Sequence, residues 1–282
     1  MTKFRLDRFL TLNLFRHIKK EQASKSDKHI PILMYHSISD DEEESHPYYH
    51  VNTSPTVFEA QMCYLRDNNY SVIDLPDLEK RFDMRDASKC AVITFDDGFR
   101  NVYTHAFPIL NKYHFSATVF LPTGFINEKR SSFKGKECMT WDEVRRISSN
   151  GIVFGSHTVT HPQLKNLSEK EIEHEIKSSK EKIEDETGKT VDSFSYPFAF
   201  PEDKEFKRKL KRLLERSSYL NGVSTIIGTA NNSQNKYFYP RLPANSDDDV
   251  LLFEAKLQGA YNWLCKPQSI IKRLKNNRCK NV

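Results

Sequence analysis

The sequence predicts an α/β fold in which parallel β-strands alternate with helices. Short apolar runs rich in β-branched and aromatic residues, such as residues 91–95, are typical of strands buried on both faces. Between these runs, apolar residues recur at helical spacing, as in residues 56–68. The 282 residues suffice for one substantial domain with a well-buried core. Counting the runs gives seven or eight strands, so a barrel is one arrangement they could form.

The predicted elements alternate from residue 31 onward. The predicted strands cover residues 32–35, 70–75, 91–95, 116–121, 153–155, 191–197, 222–227 and 236–239. The predicted helices cover residues 56–68, 76–81, 101–113, 140–149, 168–187 and 250–263. Pro108 predicts a break or kink in its helix, and Thr140 with Glu143 predicts a capping box. The helix over 168–187 is so rich in paired Glu and Lys that we expect it to have no catalytic part.

Two adjacent carboxylates end the predicted strand over residues 91–95. Asp96 and Asp97 follow directly, and Gly98 gives the backbone the freedom to turn. Polar groups at strand ends are common sites of chemistry in α/β proteins, because the loops there sit on a rigid base. One carboxylate could bind a metal while the other accepts a proton. The alternative is an Asp-Gly turn that only closes the strand.

Two histidines follow a later predicted strand. His157 and His161 are four residues apart, so on a helical turn they would share one face and could reach one ion. The same spacing also arises often by chance. Together with Asp97, the two imidazoles would form a three-ligand site with an open position, which is the pattern of catalytic metals.

Composition narrows the class of protein. The net charge of +5 and the isoelectric point near 8.8 suit an anionic surface or ligand. We expect no nucleic-acid partner, because no basic tract interleaved with aromatic residues is present. The five cysteines are odd in number and never spaced as Cys-x-x-Cys, which argues against a disulfide framework and weakly for a reducing compartment.

The two ends of the chain differ from its centre. We expect residues 1–28 to form an amphipathic, basic segment with a linker over 19–28, residues 29–264 a catalytic domain, and residues 265–282 a basic segment. Charges interrupt the apolar residues of 1–28, so we expect neither a secretory signal nor a membrane span there. Residues 1–28 could pack on the domain or lie on anionic lipid. We therefore expect a cytoplasmic protein that can contact the membrane peripherally.

Three motifs together resemble a known family. The motifs TFDDG at 94–98, SHTVTH at 156–161 and SYPFAFP at 195–201 are similar, in order and spacing, to the first three motifs of the polysaccharide deacetylases of the NodB-homology type, also called carbohydrate esterase family four. The stretch PILMYH at 31–36 resembles the start of the branch that contains the poly-N-acetylglucosamine deacetylases. The likeness covers roughly residues 30–250 and implies a distorted (β/α) barrel, often of seven strands.

The resemblance also implies roles for individual residues. Asp97, His157 and His161 would bind a divalent metal, and Asp96 would be the catalytic base. His36 matches the residue thought to be the general acid in this branch, and no histidine follows His174 to supply the late acid of the wider family.

The third motif implies the oxyanion site and contains two departures from the family. The backbone N–H of Phe198 matches the oxyanion donor, and Tyr196 in the same motif is a candidate for substrate binding. Ala199 replaces a glycine, and Ser195 replaces the arginine that holds the catalytic carboxylate in the wider family. Arg241 could substitute for that arginine by an ion pair, or it could be a surface charge beside two prolines.

The function implied is metal-dependent removal of an N-acetyl group from an N-acetylhexosamine unit of a glycan, with release of acetate. Zinc suits two imidazoles and a carboxylate best, and iron, cobalt, nickel and manganese fit the same ligands. Two alternatives stay open: hydrolysis of an O-acetyl ester or a non-sugar amide on the same fold, and a catalytically silent glycan-binding protein. The sequence does not indicate the sugar, its linkage or the oligomeric state.

Overall fold

Seven parallel strands close into a barrel in this computed structural model, which describes residues 4–18, 29–44, 46–47, 50–84, 89–198, 203–268 and 270. The strands are β1 (Ile32–Tyr35), β2 (Cys90–Phe95), β3 (Ala117–Leu121), β4 (Ile152–Ser156), β5 (Ser193–Ser195), β6 (Asn221–Ile227) and β7 (Tyr239–Pro243). Each strand pairs with the next in sequence, and the last strand, β7, pairs with β1 and so closes the ring. The expected seven-stranded (β/α) barrel is confirmed.

Helices cover the barrel between the strands. The α-helices are α1 (Leu6–Leu10), α2 (Pro55–Asp67), α3 (Leu78–Asp83), α4 (Phe107–Lys112), α5 (Trp141–Ser148), α6 (Glu169–Thr187), α7 (Lys204–Arg216) and α8 (Val250–Leu257). Two π-helical segments adjoin α-helices: Thr11–Phe15 follows α1, and Val102–Ala106 precedes α4. Short 3₁₀ turns lie at Leu75–Asp77, Thr123–Phe125, Leu164–Asn166, Lys236–Phe238 and Asn262–Leu264. No described helix combines the length and the apolar character that a membrane span requires.

Five short strands of the described residues lie outside the ring. Ser71–Val72 extends the sheet beside β2, Ser37–Ile38 pairs with Asn52–Thr53, and Ser132–Phe133 forms a hairpin with Lys136–Glu137. The turn of that hairpin, at residues 134 and 135, has positive φ angles of 50° and 77°. Two consecutive left-handed residues match the twist of a two-residue hairpin loop.

Sequence-encoded caps set the helix boundaries. The predicted capping box at Thr140 and Glu143 is present at the start of α5. Ser168 and Glu171 form a second capping box at the start of α6, and Gly188 ends that helix in the left-handed conformation. These caps satisfy backbone groups that a helix end leaves unpaired.

The barrel core is apolar and continuous with the inner faces of the helices. All six residues of β2 and all five of β3 are buried, as expected for parallel strands covered on both sides. Within the described residues, no disulfide joins cysteines 63, 90, 138 and 265.

Three predicted elements differ from the structure. Residues 236–238 form a 3₁₀ turn and not a strand, because the Asn235 side chain accepts a hydrogen bond from the Tyr237 amide at 3.0 Å and caps the turn. The strand follows as β7. The helix predicted over 101–113 is a π-helical segment that continues into α4, where Pro108 lies in the first turn and needs no N–H partner. The last predicted helix ends at Leu257, before Gly259 with φ of 77°.

Candidate active site

The turn after β2 directs two neighbouring carboxylates into different contacts. Asp97 and Gly98 have φ angles of 69° and 61°, so the chain reverses sharply at the strand end. A Cβ atom on Gly98 would lie 2.8 Å from the Leu121 side chain, so the close approach of β3 also requires glycine. Both carboxylates are buried, with side-chain exposures of 3% each.

Asp97, His157 and His161 form one buried cluster. The Oδ1 atom of Asp97 lies 3.3 Å from Nε2 of His161 and 3.7 Å from Nε2 of His157, and the three candidate ligand atoms lie within 4.8 Å of one another. Nδ1 of His157 is 2.8 Å from the Ser195 carbonyl oxygen and must donate to it, which leaves Nε2 free to bind a metal. Two imidazoles and a carboxylate fit a catalytic divalent ion.

The histidine pair is presented by an irregular loop, which corrects the expected helical turn. Thr158 and His161 both have positive φ angles, 70° and 55°, and residues 157–163 are not helical. The Thr158 hydroxyl accepts a hydrogen bond from the His161 amide at 3.0 Å and closes this loop from within. The two histidines, four residues apart, are therefore brought together by a turn that their spacing alone does not predict.

Glu175 on α6 holds the loop from outside. Its carboxylate accepts hydrogen bonds from the amides of Val159 at 2.7 Å and Thr160 at 2.9 Å, and from the Thr160 hydroxyl at 2.7 Å. Glu175 is buried, unlike most acidic residues of its helix. We expected no catalytic part for α6, and Glu175 has a positioning role instead, because it holds the loop that carries the two histidines.

Arg241 and Asp96 form a bidentate ion pair inside the barrel. Nη1 and Nη2 of Arg241 donate to Oδ1 and Oδ2 of Asp96 at 2.8 and 2.7 Å. The Ser195 hydroxyl joins the pair, since it accepts from Nη2 of Arg241 at 3.0 Å and donates to Asp96 at 3.1 Å. Ser195, at the sequence position where the wider family has an arginine, therefore links Asp96 to Arg241, which comes from β7.

The remaining donors of Arg241 are also satisfied. Its Nε donates to the Ser224 carbonyl at 3.1 Å, and Nη1 is 3.2 Å from the Thr94 hydroxyl. Arg241 is 1% exposed, so the alternative of a surface charge beside two prolines is wrong. A guanidinium fixed in this way holds a planar carboxylate in one orientation.

Burial and charge set the protonation states of the site. Burial alone would raise the pKa of Asp96, but the charges of Arg241 and His157 outweigh it, and the pKa lies well below its ordinary range. Burial would likewise raise the pKa of Asp97, which a hydrogen bond with His161 and the charge of His36 bring far down. Burial lowers the pKa of His157 to about 4. Near neutral pH the carboxylates are therefore ionised and the His157 imidazole is neutral.

His36 lies at the end of β1, beside the carboxylate pair. Its Nε2 is 3.9 Å from Oδ2 of Asp96, and its side chain is 21% exposed. Burial lowers the pKa of His36, and the charges of Asp96 and Asp97 offset that only in part. The imidazole is therefore neutral near pH 7 and can receive a proton.

The two candidates from the third motif lie in different surroundings. Phe198 is 44% exposed, and its ring is 4.7 Å from the ring of His161, so it borders the mouth of the site. Tyr196 is buried, with its ring 4.9 Å from Phe194 and 5.8 Å from Phe238. Its ring packs in the core, and its part in substrate binding stays a prediction.

Lys134 is a site residue that sequence analysis missed. Its ammonium lies 3.0 Å from Oδ2 and 3.3 Å from Oδ1 of Asp97, at the turn of the hairpin formed by Ser132–Phe133 and Lys136–Glu137. The Phe133 ring is 4.7 Å from this ammonium and 5.0 Å from the His161 ring. The Lys-Gly turn was a recognisable signal for a hairpin, but nothing in the sequence indicated that the hairpin covers the site.

Comparisons with known proteins agree with this geometry. A family model described as polysaccharide deacetylase matches residues 83–214. A Bacillus subtilis protein, YxkH, described as a polysaccharide deacetylase, is 30% identical over 227 residues, which are 80% of this chain and 73% of that protein. A Staphylococcus aureus protein named poly-β-1,6-N-acetyl-D-glucosamine N-deacetylase is 22% identical over 206 residues, 70% of this chain and 69% of that one.

Among solved structures, the chain is similar to the Streptococcus pyogenes deacetylase PplD in complex with acetate. The TM-score is 0.71 at 25% sequence identity, over 83% of this chain and 99% of that one. The shared fold therefore includes the whole barrel of a deacetylase.

Proposed function

Because this chain belongs to the polysaccharide deacetylase family, a family of hydrolases, we propose that it removes an N-acetyl group from an N-acetylhexosamine unit of a glycan or glycan intermediate and releases acetate. The observation that carries the proposal is the pairing of a buried Asp97, His157 and His161 cluster with a second carboxylate, Asp96, held outside that cluster by Arg241. A complete site of this kind argues against a silent glycan-binding protein.

The donor set fits a divalent metal ion. His157 has the tautomer required of a ligand, and Asp97 is ionised. A metal ion held by these residues would lower the pKa of a bound water and polarise the acyl oxygen. Zinc is the ion we propose, and iron, cobalt, nickel or manganese suit the same donors.

Asp96 is the proposed acceptor of the proton that the attacking water loses. Its pairing with Arg241 keeps it ionised but also makes it a weak base, so it cannot retain the proton. The neutral imidazole of His36, 3.9 Å away, can take that proton and deliver it to the amide nitrogen as the C–N bond breaks. The water oxygen then belongs to acetate, and the sugar leaves with a free amine. In this scheme the backbone N–H of Phe198 donates to the oxyanion, as predicted from the third motif.

The proposed substrate class is based on the named relatives and on the aromatic residues at the entrance of the active site. One relative is named a poly-β-1,6-N-acetyl-D-glucosamine N-deacetylase. The partly buried Phe133 and the exposed Phe198 both border His161, and aromatic faces of this kind suit the apolar faces of sugar rings. An N-acetylated glycan is therefore the proposed substrate.

The test is acetate release from N-acetylglucosamine oligomers. We expect turnover by the zinc-loaded protein, loss with a chelator, and recovery when zinc is restored. Asp96→Asn should abolish turnover while zinc binding persists, and Asp185→Asn, at an exposed position on α6, is the matched control. Faster release from O-acetylated sugars would favour the esterase alternative. Zinc-loaded protein that binds the oligomers and releases no acetate from either substrate would refute the proposal.

A further inference from the structure

Exposed apolar side chains gather on one surface formed by α1, the π-helical segment after it, the start of α8 and residue 270. This apolar surface consists of Phe4, Leu6, Phe9, Leu14, Ile18, Val250, Leu251 and Ile270, each between 40% and 71% exposed. The rings of Phe4 and Phe9 lie 6.1 Å apart. Arg8 joins the two helices through Asp249, at 2.5 Å, immediately before Val250. Exposed apolar side chains grouped on packed elements in this way mark an interaction site.

The N-terminal helix has its polar side turned inward. Arg5 and Asp7 are buried and paired at 2.5 Å, and Arg5 also contacts Asp248 at 3.1 Å. Tyr261 donates to Asp7 at 2.6 Å. A surface helix ordinarily buries its apolar stripe and exposes its polar residues. Here the inward contacts are largely polar, so apolar side chains are left facing solvent.

The helix is firmly attached, so the apolar surface is a fixed feature of the domain. Lys256 donates to Asp248 at 2.5 Å and completes the buried charge network around Arg5. Further along, Phe15 stacks on Trp263 with ring centroids 4.7 Å apart, and Trp263 donates to the Thr11 hydroxyl at 3.0 Å. Exposure of Phe4 and Phe9 therefore does not result from a loose segment.

This surface reaches the end of the barrel that carries the active site. Arg5 bonds the carbonyl of Asp247, in the loop that leaves the carboxyl end of β7, and Val250 begins the helix that follows. Gln268, just before Ile270, bonds the backbone of β6 near its carboxyl end at Ile227. The metal-binding residues also follow the carboxyl ends of strands, so the apolar surface and the site share one end of the barrel.

We infer that the apolar surface docks the protein onto an anionic lipid bilayer, with the active-site end of the barrel towards the lipid. The charge of the adjoining sequence favours this occupant: residues 271–282 contain five Lys or Arg and no acidic residue. Basic side chains near an anionic bilayer are attracted to its negative surface potential. A second copy of the chain on the same surface would bring two such basic segments together, which repel each other.

The experiment is co-sedimentation of the full chain with vesicles of phosphatidylcholine, with and without phosphatidylglycerol. We expect binding to the anionic vesicles that weakens as salt rises. Phe4→Ser combined with Phe9→Ser should weaken binding on the order of 10-fold or more, because apolar area no longer enters the interface. The matched control is Met84→Ser combined with Leu220→Ser, which removes exposed apolar side chains elsewhere on the protein.

A charge variant and an activity assay complete the test. Neutralising Lys272, Arg273 and Lys275 to Gln should remove the preference for phosphatidylglycerol. Acetate release from a soluble oligomer should not change in the Phe4→Ser, Phe9→Ser protein, so a failure of the proposed function would be separate from a failure of docking. Equal vesicle binding by the Phe4→Ser, Phe9→Ser protein and the wild type would overturn the inference. Concentration-dependent dimerisation of wild type, lost in the same variant, would instead identify a second copy as the occupant.

Discussion

Replacing Arg241 by methionine should destabilise the protein and remove its activity, and the loss of stability should grow with pH. The substitution keeps much of the side-chain volume but removes both hydrogen bonds to Asp96. Asp96 is then a buried carboxylate without its principal counter-charge. Removing one partner of a buried ion pair typically costs about 3–5 kcal/mol.

The size of the effect on melting follows from chain length. With an unfolding entropy of about 2.1 cal/mol/K per residue, 282 residues give roughly 0.6 kcal/mol/K. A loss of about 3–5 kcal/mol then lowers the melting temperature by roughly 5–8 °C near neutral pH.

The pH dependence has opposite signs in the two proteins. In wild type the pKa of Asp96 lies below its ordinary value of 3.8, so the pair contributes stability above that pH and loses it only in strong acid. Without Arg241, burial raises the pKa of Asp96 above 3.8, so the variant loses stability as pH rises through the raised value. The difference in melting temperature should therefore be larger at pH 8 than at pH 4.

Thermal melts of both proteins across this pH range, with acetate release measured in parallel, check the prediction. Arg216→Met, at an exposed position on α7, is the matched control and should melt like wild type. A variant at Arg241 that melts within a degree of wild type at pH 8 would refute the reasoning, as would a difference that does not change with pH.

Three further predictions concern the residues around the metal-binding cluster. Glu175→Gln should weaken zinc binding about 10-fold or more while the fold persists, because one carboxylate oxygen no longer holds the Val159 and Thr160 amides. Calorimetric titration with zinc measures this affinity. An unchanged zinc affinity would contradict the prediction. The acid limb of the pH profile of kcat/KM should lie below pH 6.5, because the pKa of His36 is lowered and its proton-accepting form persists to more acidic pH. An acid limb above pH 6.5, or one that is unchanged in His36→Gln, would count against proton transfer through His36. Lys134→Met should tighten zinc binding to the apo-protein, because the ammonium near Asp97 opposes a second cation. Weaker zinc binding by this variant would show that Lys134 instead orients Asp97.

Sequence analysis predicted the barrel and brought together the residues at its strand ends. Asp96, Asp97 and His157 each follow an apolar run, and parallel topology places such residues at one end of the barrel. Arg241 was predictable as one of two alternatives because Ser195 left the carboxylate without its usual partner. Burial decided between the alternatives.

The parts that sequence analysis missed depend on contacts between distant segments. Glu175 belongs to a helix whose many charges look solvated, and only the packed structure shows that this one faces inward. Lys134 reaches Asp97 across 37 positions of sequence. The left-handed conformation of Thr158 is unusual for a β-branched residue, so spacing suggested a helical turn instead. The choice between the two readings of residues 1–28 also depended on distant contacts, because Arg5 and Asp7 are buried against Asp248 and Tyr261, 243 and 254 positions away.

The closure of the barrel through β1 and β7 has a consequence for how the protein is made. Asp97, His157 and His161 have all been synthesised by position 161, whereas the guanidinium that pairs with Asp96 is added eighty residues later, at position 241. A nascent chain can thus contain the whole Asp-His-His cluster and still lack both the last strand of the barrel and the ion-pair partner of Asp96. The complete arrangement of these residues can form only after β7 has been synthesised.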